Sequence, residues 1–115
     1  MEETRRKLSR CMGFYGLWVS DYERAREAFA TTDIRWVDIQ VSAQGLETLA
    51  RSLSKEGCIP ETMGRELEEW ARALQRNAAE RKIAETSGAL TMLSELEPRI
   101  RQEIAKICPA PAEHE

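Results

Sequence analysis

The chain has 115 residues, 42% of them apolar and 32% charged, with 17 Lys and Arg against 20 Asp and Glu for a formal net charge of −3. That length accommodates one domain around one hydrophobic core. The balance of charge excludes a domain-wide basic field for non-specific nucleic-acid binding, and the Glu/Arg-rich composition is that of helices with solvated faces rather than of a disordered chain.

At the N-terminus Arg5, Arg6, Lys7 and Arg10 cluster behind Glu2 and Glu3, as one solvated turn of a helix does. Thr4-Arg5-Arg6-Lys7-Leu8 has a loose twin-arginine form, and Ala28-Phe29-Ala30 has an A-x-A form. The apolar run 11–19 between them is nine residues long and is followed by Asp21, Glu23, Arg24, Arg26 and Glu27, so the segment reads as mature folded sequence. The run is also too short for a membrane span.

Leu8, Cys11, Met12, Tyr15, Trp18, Val19, Tyr22, Ala25 and Phe29 recur at three- and four-residue steps, which predicts a first helix over about 3–30. Phe14 and Leu17 widen its apolar face, so the helix is expected to lie in a groove between neighbours. Gly13 and Gly16 each cost roughly 1 kcal/mol inside a helix, a cost that close approach of another backbone would offset. Ser20-Asp21-Tyr22-Glu23 has the form of a capping box and offers a rival start for the helix, after a strand over 13–19.

Asp33 is placed to cap a second helix over about 34–56, striped by Trp36, Ile39, Ala43, Leu46, Ala50 and Leu53 and ended by Gly57. Val37, Ile39 and Val41 also alternate with polar residues, so a strand over 35–42 is the alternative, giving an α+β start. Cys58-Ile59-Pro60 reads as a turn. A third helix follows on Met63, Leu67, Trp70, Leu74 and Ala78, with Glu61/Arg65 and Glu68/Arg72 as four-residue ion pairs. The stripe loses phase between Asn77 and Gly88, where Thr86-Ser87-Gly88 is poor helix material, which places a helix boundary in that interval; the pattern resumes at Leu90 through Ile107 with Pro98 as a kink or a new start.

Short connections and matched lengths predict an all-α, antiparallel up-down four-helix bundle over 1–108, with 109–115 as a mobile acidic tail. Counting outward from the turns predicts a central layer of Trp18, Gly45 and Trp70, the glycine leaving room for an indole.

Cys11, Cys58 and Cys108 form a widely spaced set with no CxxC pair, which argues against structural zinc and a disulfide framework and predicts a reducing, cytoplasmic setting. The single histidine, His114, lies in the predicted tail, so the base needed for Cys-His or Ser-His catalysis, or for histidine phosphotransfer, is missing from the folded region. Gly13-x-x-Gly16 lacks the spacing of a phosphate loop. Asp21 and Asp38 border apolar faces, but Arg24 and Arg35 stand at helical spacing from them, which predicts border salt bridges rather than a catalytic or metal-binding pair.

The sequence therefore predicts a non-enzymatic protein-interaction module, with no metal, cofactor or small-molecule substrate, that associates with itself as a homodimer or with a protein partner. Candidate partner-binding residues are Phe14, Leu17, Asp21, Ile34, Val37 and Val41, whose apolar members extend beyond the stripes a monomeric bundle needs. Two alternatives remain open at this level. One is a small regulator or inhibitor of a nucleic-acid-handling machine, of the mobile-element kind. The other is peripheral membrane binding through helix 1, whose basic first turn stands beside Phe14 and Trp18.

Overall fold

The computed structural model describes residues 2–107. It contains four helices, α1 (Glu2–Phe29), α2 (Trp36–Lys55), α3 (Glu61–Ala79) and α4 (Ile83–Ala105), and no strand among the described residues. Successive helices pack together and α4 closes against α1, whereas the diagonal pairs stay apart, as in an up-down four-helix bundle. The predicted tail over 109–115, with His114, and Cys108 lie outside the described residues.

Both strand alternatives give way to helix for the same reason. Cys11, Trp18, Ala25 and Ala28 are fully buried at helical spacing through the supposed strand-to-helix border, so Ser20 lies inside α1 rather than at its start. In α2, Ile39 is buried while Val37 and Val41 are both exposed. A strand would put all three on one face.

The α2–α3 turn follows the predicted chemistry. Gly57 adopts φ +75°, and the N–H groups of Gly57 and Cys58 donate to Ser54 O and Leu53 O at 3.0 and 2.8 Å, closing α2 with a left-handed cap. Pro60 then takes an extended conformation as the N-cap of α3. Gly64 lets α3 approach α2 closely, because a Cβ there would stand 2.7 Å from the Cβ of Ser54. On the outside of the same seam Glu47 and Glu68 both bind Arg51 and Arg72, at 2.6 to 3.3 Å. The predicted Glu68/Arg72 pair is thus half of a four-residue network that crosses between helices.

Three expectations are corrected. First, Cys11 and Cys58 form a disulfide, with Cα atoms 5.7 Å apart. The left-handed cap places Cys58 beside α1, and both residues are buried. A sequence separation of 47 conceals this, because the two meet only when α1 and the α2–α3 turn are folded together. Second, the helix boundary expected between Asn77 and Gly88 does fall in that interval, but α4 begins at Ile83, so Thr86, Ser87 and Gly88, read as poor helix material, are helical. The break falls at Arg81, which adopts φ 56° while the N–H of Lys82 donates to Asn77 O at 2.9 Å, the same cap as at Gly57 but without a glycine to announce it. Third, the predicted Trp18–Gly45–Trp70 layer is replaced. Trp18 is fully buried, stacked with Tyr22 at 5.9 Å, and Trp70 is half-buried. A Cβ on Gly45 would meet the carboxylate of Asp21, so the glycine makes room for an aspartate and not for an indole.

Pro98 lies inside α4, which continues through it to Ala105.

Candidate interaction surface

The predicted surface starts from the seam between α1 and α2, which run antiparallel. Arg35 N–H donates to Ala28 O at one end, and the disulfide and an Arg10–Glu56 pair at 3.1 Å hold the other. Midway, Asp21 enters the space over Gly45 and is held by Arg24 at 2.9 Å. Burial raises the Asp21 carboxyl above its ordinary value, while the Arg24 guanidinium works in the opposite direction.

This placement explains both acidic candidates. Arg24 pairs with Asp21 and Arg35 with Asp38 at 3.4 Å, the border salt bridges the spacing predicted. Asp38 lies about two turns of α2 from the Gly45 position that Asp21 meets, so the two carboxylates do not converge. No group of three or more His, Cys, Asp or Glu side chains able to hold a metal ion occurs among the described residues.

The six predicted partner-binding residues divide into two groups. Phe14 and Ile34 are half-buried and pack against the core, and Asp21 is enclosed in the α1–α2 seam, so these three are engaged within the chain. Leu17, Val37 and Val41 project outward and remain 59%, 68% and 58% exposed. Val37 and Val41 stand one helical turn apart on the face of α2 opposite Ile39, Ala43 and Leu46. The second face that α1 buries is turned to α4, where the Tyr15 hydroxyl donates to Glu97. Burial and that carboxylate push the Tyr15 pKa up to about 12.

Sequence reasoning missed the exposure of Met12. The three- and four-residue pattern assigned it to the buried face, yet it is 51% exposed at the mouth of an apolar groove with Leu8, Tyr15, Arg101, Ile104 and Ala105. Its signal was present in the neighbouring glycines. Gly13 and Gly16 are exposed, with nothing within 4 Å of an added Cβ, so the close approach expected of them does not occur within the chain.

The basic cluster near the start of α1 is partly neutralised, Arg6 by Glu2 at 3.8 Å and Arg10 by Glu56. No helix among the described residues is long and apolar enough to cross a membrane.

The fold defines an all-α bundle whose exposed large apolar side chains, among the described residues, are Met12, Leu17, Val37, Val41 and Ile83. Comparison of the chain with family models, curated proteins and solved structures gives no match.

Proposed function

We propose that the protein is a non-enzymatic helical interaction module that self-associates and presents the outward aliphatic side of α1 and α2 to a protein partner. The observation that carries this reading is the exposure of Leu17, Val37 and Val41, three aliphatic side chains that the core does not use while smaller residues such as Ala25, Ala43 and Ala71 are fully buried. Removing such side chains from water on association is favourable at about 25 cal/mol per Å² of apolar surface, less the costs of ordering.

The bridge between buried Cys11 and Cys58 supports an oxidising compartment over the reducing cytoplasm first predicted from cysteine spacing. Alkylation of the unfolded, unreduced protein taken directly from its host should leave Cys11 and Cys58 unmodified, and labelling of both would remove that support.

The binding face is tested by exchanging Leu17, Val37 and Val41 together for serine and comparing proteins co-purified with the tagged wild type and variant. The variant should keep its helical circular dichroism and lose specific proteins that the wild type retains. Identical retention by both would overturn this face as the docking surface.

A further inference from the structure

We propose that two copies of the chain pair through α1, antiparallel, along a stripe formed by Arg5, Met12, Gly16 and Glu23. The inference rests on the self-association in the proposed function and assigns its seam to a different side of α1 from Leu17. All four residues are exposed. At about 100° per residue they fall within about 40° of one another around the helix axis, so they form one line along it.

The stripe is complementary to its own reverse. A twofold axis crossing the helix pair at the level of Phe14 sets Arg5 opposite Glu23 of the other copy and Met12 opposite Gly16, because each pair is spaced evenly about that level. Each copy thus offers a cation, an apolar knob, an open space and an anion in that order. Met12 supplies the knob, with half of its surface exposed, and Gly16 supplies the space, since nothing lies within 4 Å of an added Cβ. Methionine is suited to the contact because its unbranched side chain adapts to an irregular gap.

Charge complementarity selects a second copy as the occupant. Neither Arg5 nor Glu23 has an ion-pair partner among the described residues, in a molecule where most exposed arginines on α1 to α3 have one. Arg5 and Glu23 stand about five turns and about 27 Å apart on a straight helix, beyond reach of each other within one chain. Antiparallel pairing brings them together twice, once at each end of the seam. A single helix pair lies at the low end of interface sizes, so the dimer is expected to depend on concentration.

Sedimentation equilibrium at low salt and up to about 0.5 mM tests the pairing. The wild type should approach a dimeric mass. Arg5→Glu and Glu23→Arg should each weaken the dimer by about tenfold, and the double variant should recover it, because the reversed charges again meet across the seam. Gly16→Leu should also abolish the dimer, by occupying the space for Met12, without loss of helicity.

A monomeric wild type would overturn both this pairing and the self-association it rests on. A dimer insensitive to Gly16→Leu and to both charge reversals would overturn the stripe alone and leave self-association through another face. Loss of the dimer in both single variants without recovery in the double would equally overturn the stripe.

Discussion

The two seams that hold α1 are built differently. Against α2 it is fastened at one end by the Cys11–Cys58 disulfide, in the middle by Asp21 seated over Gly45, and at the other end by the backbone bond from Arg35 to Ala28. Against α4 it has the Tyr15–Glu97 hydrogen bond and an apolar groove left open beside Met12. A covalent tie and a close helix approach thus hold one side of α1, while one polar contact and partly exposed packing hold the other. It follows that α1 and α2 form the more firmly joined unit, and that α4 is the helix whose contact with α1 is easier to release.

The most damaging change breaks the stronger seam. Replacing Cys11 and Cys58 together by alanine removes a cross-link spanning 47 residues, and should lower the unfolding free energy by about 2–4 kcal/mol in chemical denaturation. A loss below about 0.5 kcal/mol would show that the α1–α2 seam does not depend on its covalent tie. Gly45→Leu acts at the middle of the same seam. Its side chain would overlap the Asp21 carboxylate and push α1 from α2, so a loss of about 1–3 kcal/mol is expected, and Gly16→Leu on the outward side of α1 should show no such loss.

The turn into α4 offers a change in the opposite direction. Arg81 closes α3 at φ 56°, where a side chain is disfavoured, while Gly57 performs the same task at the other end without that cost. Arg81→Gly should therefore raise stability by about 1 kcal/mol, read as a higher thermal midpoint, and Gly57→Ala should lower it by a similar amount. Equal effects of the same sign would show that the two caps are not equivalent in the way their hydrogen bonds indicate.

The helical periodicities made the bundle legible, since Ile39, Leu46, Leu53, Leu67, Leu74 and Leu93 occupy the core their spacing assigned them. Level along the helices was easier to read than direction around them. Counting placed Gly45 near the level of Trp18, and the residue it meets is Asp21, three positions away and on the side facing α2. The α3–α4 boundary was legible only to the interval between Asn77 and Gly88, because Arg81 takes a conformation that usually advertises itself as glycine. The disulfide was illegible because its geometry is set by the cap at Gly57, a local event whose consequence is long-range. In the candidate surface, Leu17, Val37 and Val41 were recognisable as surplus to the core stripes, whereas Phe14 and Ile34 share the same apolar chemistry and are distinguished only by what packs over them.

The weaker seam responds most mildly, and pH reads it. The Tyr15 hydroxyl is partly buried and donates to Glu97, so its folded pKa is pushed up to about 12 from an ordinary value near 10. The folded state therefore holds the phenolic proton more tightly than the unfolded chain does. The stabilisation is fully present below about pH 10, and it is lost as pH rises through about 12, where the folded hydroxyl also ionises. Tyr15→Phe should cost about 1 kcal/mol at neutral pH. Its stability should also fall less steeply than that of the wild type between about pH 10 and 12. Parallel decline of the two proteins over that interval would show that the Tyr15–Glu97 bond does not hold α4 to α1, and the contrast between the seams would then rest on the apolar groove alone.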